Sequence, residues 1–289
     1  MSLLLLLVGV AFFTLFERRV LGYVHFRVGP NKVGLLGIIQ AFRDALKLFR
    51  KEDLRLKGLN YYIFFCSSVF GFFLILIFWY MFPFWGGIGF RMFSIVIFFC
   101  IRSLGVYFLL YCGWGCIRRY SVFGAYRSSA QAISYEVVIV TCILFLCLSV
   151  SGLSLTKFRG YLSYIGIYLL RGGILFCWVI SCIAECNRSP FDFSEGESEL
   201  VSGFNTEYGA GLFSIIFIGE YSSIIFFSIF TGFVFFIGVF SVLMSILIFF
   251  IFLWIRGSFP RLRYDKLMII AWRGLFFFVV GPLLLVFVF

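Results

Sequence analysis

The run from Tyr221 to Ile255 holds no charged residue over 35 positions. The hydrocarbon core of a bilayer is about 30 Å thick and is crossed by about 20 apolar residues, so this run is too long for one crossing. Dividing it near Thr231-Gly232 gives two. The same reading elsewhere predicts membrane helices at 2–20, 61–82, 93–116, 131–151, 165–186, 208–230, 234–256 and 267–288. Lipid offers no hydrogen-bond partners, so a spanning segment must satisfy its own backbone, and unbroken apolar runs of this length do so as α-helices. The remaining composition agrees: 63% of residues are hydrophobic and 13% charged, and the mean hydropathy is +1.09. The expected fold is an all-α polytopic membrane protein of about eight transmembrane helices, one membrane domain over 1–289. No charge-rich stretch exceeds 17–57, which leaves no room for a soluble domain. Met1 to Phe16 carries no charge and no cleavage pattern, so it reads as the first membrane helix rather than a targeting segment.

Charge placement tests the helix count through the positive-inside rule. Eight crossings put segments 17–57, 117–130, 187–207 and 256–266 on one side, and these hold 18 of the 24 basic residues. The opposite loops hold Arg91, Lys157 and Arg159. Both termini then face away from the basic side. Within the first basic loop, Gly34 to Arg50 places Leu35, Ile38, Ile39, Phe42, Leu46 and Phe49 on one helical face, with Arg43, Lys47 and Arg50 on another. This predicts an amphipathic helix lying in the membrane interface or packed on protein. Its basic face suits an anionic lipid such as cardiolipin or an acidic partner subunit. Basic residues confined to a membrane face give no reason to expect a nucleic-acid partner.

Six of the 13 acidic residues fall between Glu185 and Glu207: Glu185, Asp192, Glu195, Glu197, Glu199 and Glu207. Asn187 or Ser189 is a potential N-cap, Pro190 suits a first helical position, and Asp192 would then lie in the first turn. Asp192, Glu195 and Glu199 would share a helical face, an arrangement that costs a little stability. A solvated acidic connector is the plain alternative. Acids at a membrane edge more often mark an ion, proton or substrate path. Glu136 is expected to open the fourth membrane helix and Glu220 to interrupt the sixth. Arg102 and Arg171 are their basic counterparts, and the alternative to a proton path is a structural Arg–Glu pair.

The nine cysteines form no C-x-x-C and lie mostly in apolar runs, and His25 is the only histidine. Such a chain has no metal-ligand set of the usual kinds, so no flavin, haem, iron–sulfur cluster or metal is expected on it. Phosphate-loop, dinucleotide and Ser/His/Asp patterns are absent too. The 44 phenylalanines against 5 prolines suggest a T-rich organellar gene. Read from residues alone, a stand-alone proton-coupled transporter and a structural anchor for a peripheral arm both remain open. Repeated halves of the kind common in transporters are not visible.

Several stretches are similar to a known family over nearly the whole chain. They are Glu17-Arg18-Arg19-Val-Leu-Gly-Tyr23 with Arg27-Val-Gly-Pro-Asn31, Asp44-Ala-Leu-Lys47, and Ala130-Gln131-Ala-Ile-Ser-Tyr135-Glu136. The most specific runs from Glu185-Cys-Asn-Arg188-Ser-Pro-Phe-Asp192 through Glu195-Gly-Glu197-Ser-Glu199 to Gly203-Phe-Asn-Thr-Glu207-Tyr208. Gly219-Glu220-Tyr221 and Trp254-Ile-Arg256 with Pro260 to Asp265 complete the set. In these the chain resembles the subunit 1 family of mitochondrial NADH dehydrogenase, the membrane subunit of respiratory complex I. The related membrane subunit of hydrogenase-type complexes is the nearer alternative.

The resemblance implies a multi-pass subunit of the mitochondrial inner membrane with both termini toward the intermembrane space. Segments 17–60, 187–207 and 256–266 would then face the matrix. It implies a core subunit of proton-pumping NADH:ubiquinone oxidoreductase, not catalytic alone, with ubiquinone as substrate and other complex I subunits as partners. It places Arg18, Arg27, Arg188, Asp192, Phe217, Tyr221 and Arg256 along a quinone tunnel. Glu136, Glu185, Asp192, Glu195, Glu197, Glu199 and Glu220 would form an acidic path coupling quinone reduction to proton translocation. Leu35 and Ala41 stand where the family usually has proline, and Ser189 where it has threonine.

Overall fold

A computed structural model describes residues 2–34, 37–52, 58–81, 94–150, 152–158, 165–192, 203–236 and 238–288. The described residues form helices α1 (Ser2–Val24), α2 (Gln40–Phe49), α3 (Tyr61–Tyr80), α4 (Ser94–Gly115), α5 (Arg119–Val150), α6 (Leu155–Phe158) and α7 (Ile165–Glu185). A 3₁₀ turn (Gly203–Asn205) precedes α8 (Ala210–Phe235), α9 (Val239–Ser258) and α10 (Tyr264–Ile269). A π-helical segment (Ile270–Phe276) joins α10 to α11 (Phe277–Val288) without a break. Six of these helices are long and apolar enough to cross a membrane among the described residues: α3, α4, α5, α8, α9 and the continuous helix Tyr264–Val286. The chain is an all-α polytopic membrane protein. α1 and α7 have 23 and 21 residues.

α5 is the axis of the bundle. It packs against α4 on one side and α7 on another, and meets α11 and the 3₁₀ turn. Tyr135, Ile139, Cys142, Phe145 and Leu146 of α5 are fully buried in one apolar cluster with Trp178 of α7, Phe98 of α4 and Phe227 of α8. Helices in lipid gain little by hiding apolar surface from one another, so shape complementarity and dispersion must hold them. The phenylalanines supply it. Phe98 stacks on Phe230 at 4.9 Å between centroids and 8° between planes, and Phe226 packs on Phe78 at 5.0 Å.

Four details differ from the sequence reading. The fourth long helix begins at Arg119, not 131, so Arg119 and Arg127 lie on helix and Glu136 sits near the middle of α5. Three basic side chains suggested a loop, but the small residues Ser121, Gly124, Ala125 and Ser128 carry the helix onward with that face buried. A Cβ on Gly124 would lie 2.8 Å from Gly203 Cα, so the 3₁₀ turn rests directly on the helix backbone. Second, the long uncharged run breaks between α8 and α9, at 236–238, rather than at Thr231-Gly232. Gly238 is at φ +60°, which a residue without a Cβ adopts freely. Gly232 instead marks the close approach of α9, where a Cβ would lie 2.4 Å from Ser241 O.

Third, the amphipathic helix starts at Gln40, because Gly34 and Gly37 adopt φ +68° and +75°. α2 packs against α1 and α8, with Phe42 edge-on to Phe12 at 5.9 Å. Phe42, Leu46 and Phe49 stay exposed. Fourth, residues 186–192 form a turn rather than a helix start, with the Phe191 N–H donating to Arg188 O at 2.8 Å. This turn is pinned at both ends. Gln131 Nε2 donates to Ala184 O at 2.7 Å and to Phe191 O at 2.9 Å, and the Leu262 N–H donates to Pro190 O at 3.0 Å.

Candidate functional site

The turn after α7 brings the charged residues together. Because α7 ends at Glu185 and the chain bends at once, Glu185 and Arg188 emerge on different sides of the turn. Arg102, from the apolar interior of α4, forms an ion pair with Glu185, and both side chains are buried. It also lies over the Phe227 ring at 4.8 Å. Arg188 reaches α8, where its Nη2 donates to Glu220 Oε2 at 2.7 Å. The guanidinium lies over the rings of Tyr221 and Phe217, at 4.6 and 5.3 Å from their centroids. Arg256 of α9 pairs with Glu17 of α1. Arg261 stands 3.7 Å from the buried Asp192. Charges held away from water are costly unless compensated, and this bundle compensates them in pairs.

Two cavities flank the turn. The larger, about 120 Å³, lies between α3, α4, α7 and α8 and is lined by Arg102, Glu185, Asn187, Glu220 and Ser223 among apolar side chains. The smaller, about 20 Å³, is lined by Glu17, Arg188 and Arg256. Cys186 borders both. In the larger cavity Glu185 Oε2, Arg102 Nε and Asn187 Oδ1 are buried with no hydrogen-bond partner among the described residues.

The turn and α8 bring Arg188, Glu220, Tyr221 and Phe217 together. Glu185 and Glu220 border one cavity, and Arg256 borders the other. Glu136 is half-buried on α5, which packs against the helix that carries Arg102. Arg18 is exposed and pairs with Asp44 of α2 at 2.5 Å, which ties the amphipathic helix to α1. Gln40 Nε2 donates to the other oxygen of Asp44 at 2.9 Å. Arg27 projects from an exposed loop and joins none of these pairs among the described residues. Glu195, Glu197 and Glu199 lie outside the described residues.

Sequence reasoning passed over Glu17 and Arg261 and gave Arg102 no place among the site residues. A signal existed for each. Glu17 follows an apolar run with no connector between, and Arg102 interrupts a span in which it had to find an anion. A second polar cluster lies on the basic side of α5. Glu207 accepts the N–H groups of Ile117 and Arg118 at 2.9 and 3.2 Å. Tyr208 stacks on Phe64 at 4.1 Å and shares a hydrogen bond with Ser67 at 3.1 Å.

Comparison with known proteins gives a consistent result. The family model described as NADH dehydrogenase matches residues 1–287. NADH-ubiquinone oxidoreductase chain 1 of Aedes aegypti is 43% identical over 96% of this chain and 94% of its own length. The proteins of that name from Anopheles gambiae and Heterololigo bleekeri are 44% and 40% identical, over 96% and 93% of this chain and 93% and 88% of theirs. With a match spanning nearly every residue, from the first apolar helix to the last, the chain belongs to the NADH dehydrogenase family described by that model.

Proposed function

We propose that this chain is the core membrane subunit of a proton-pumping NADH:ubiquinone oxidoreductase, the mitochondrial complex I, in the inner membrane. The observation that carries the reading is the row of buried ion pairs around the 186–192 turn. Arg102–Glu185 borders the larger cavity, Glu17–Arg256 borders the smaller, and Arg188–Glu220 has one partner on each, inside a largely apolar bundle. A simple anchor gains nothing from charges so expensive to bury.

In this reading the chain binds no redox centre and is not catalytic alone. Flavin and iron–sulfur clusters in partner subunits deliver two electrons to ubiquinone, which takes up two protons on reduction. Arg18, Arg27, Arg188, Asp192, Phe217, Tyr221 and Arg256 line the route by which quinone enters from lipid. The Arg188 guanidinium, with Tyr221 and Phe217 beneath it, suits a flat polar headgroup at the end of a greasy tail. Glu136, Glu185, Asp192, Glu195, Glu197, Glu199 and Glu220 form the acidic path that responds to proton uptake at the quinone. α1 and α7 complete eight spans in a single membrane domain, so that 17–60, 187–207 and 256–266 face the matrix and both termini face the intermembrane space. The exposed apolar face of α2 lies against lipid, cardiolipin included, or a partner subunit.

The test is to isolate the chain from its native membrane in mild detergent after crosslinking and assay NADH-driven ubiquinone reduction. Inhibitor-sensitive activity travelling with the chain is the expected result. A chain that captures no partners and no NADH oxidation would overturn the reading in favour of a stand-alone transporter.

A further inference from the structure

We propose that Arg102 is a positioning residue of the acidic path, with Glu185 serving there as its fixed counter-ion and not as a carboxylate that passes a proton on. The inference rests on the proposed acidic path and refines one member of it. Arg102 comes from mid-α4, far from any loop. It is about nine-tenths buried, as is Glu185, and the two side chains pair directly. The Phe227 ring under the guanidinium, 4.8 Å from its carbon, closes off one face and limits where the charge can go. A carboxylate held this way cannot take a proton without stranding a cation in a dry site, the costliest state available to the pair.

The neighbouring carboxylates are placed differently. Glu136 lies on α5, which packs against α4, but makes no ion pair within 4 Å among the described residues. Glu220 borders the same cavity and pairs with Arg188 instead. Glu185 and Asn187 line the same cavity as Glu220, so the ion pair and Glu220 share one polar space. The fixed pair thus sets the field in which Glu136 and Glu220 exchange protons.

The experiment uses the assembled enzyme in sealed membranes, with NADH-driven quinone reduction, protons moved per NADH and amount of assembled complex as readouts. E185Q and R102Q each leave one buried charge alone and should lower translocation at least about tenfold. R102K keeps the cation but gives up the stack on Phe227, so it should fall between the parent and R102Q. The deciding variant is R102Q/E185Q, which removes both charges and leaves two amides that can hydrogen-bond. Translocation restored to within about threefold of the parent supports the counter-ion role. A double variant that assembles but stays as impaired as E185Q, or one that does not assemble, overturns it, because Glu185 would then be needed for more than cancelling Arg102. The acidic path itself is tested separately by E136Q and E220Q. If both translocate normally, that path fails whatever R102Q/E185Q does.

Discussion

Arg188 separates charge from shape at the centre of the site. Its guanidinium carries a 2.7 Å hydrogen bond to Glu220 and lies over two aromatic rings. Replacing it by methionine keeps the volume but removes the positive charge paired with Glu220, whose side chain is 16% exposed. Breaking a buried pair from one side costs about 3–5 kcal/mol. Arg188→Lys keeps the charge and gives up the planar stack. Two cation–π contacts at about 0.5–1 kcal/mol each sum to about 1–2 kcal/mol, or roughly 5- to 30-fold in rate. The assay is inhibitor-sensitive ubiquinone reduction by NADH in membranes, with reduction of a water-soluble acceptor at the flavin as internal control. The expected order is parent, then lysine, then methionine, with the flavin control unchanged. Equal and undiminished turnover in both variants would refute the argument, since neither the charge nor the plane would then matter.

Two further outcomes follow from packing and burial. Gly124→Val should lower the amount of assembled protein through an overpacking cost of about 1–3 kcal/mol, because its side chain would meet the Gly203 backbone rather than a movable side chain; quantifying folded chain in membranes by limited proteolysis checks it. Cys186 is buried beside the two cavities, and a structural buried thiol is inert toward alkylating reagents. Maleimide labelling of intact membranes followed by mass spectrometry should leave Cys186 unmodified, and labelling after denaturation should modify it.

What could be read in advance follows from which forces act locally. A span announces itself because lipid demands a long uncharged run, and α3, α4 and the last helix begin and end within a few residues of where the apolar runs do. α5 was misjudged at its start because its first turns are not sorted by lipid at all. They pack on the 3₁₀ turn, a partner some 80 residues away, and small residues suited to that contact look like a polar loop. The break after α8 was placed at the wrong glycine for a related reason. Gly232 and Gly238 look alike in sequence, but one admits a neighbouring helix and the other turns the chain. Glu220 and Arg188 were legible as charges that had to find partners, while the pairing itself depends on how the 186–192 turn folds. Arg102 with Glu185 and Arg256 with Glu17 join positions 83 and 239 residues apart, and nothing local marks such a match.

The length of α5 has a mechanical consequence. At about 1.5 Å per residue, its 32 residues make a rod of about 48 Å, against roughly 30 Å of hydrocarbon. Its surplus turns stand in the basic-side interface, where the Gly203–Asn205 turn leans on Gly124. From there the helix runs unbroken to Gln131, which grips the 186–192 turn, to Tyr135, whose hydroxyl holds Leu267 O at 3.0 Å, and to Glu136. A flexible connector at 117–130 would have soaked up any push delivered at the surface. A stiff shaft transmits it, so tilting at the interface must also shift the Glu136 carboxylate inside the bundle.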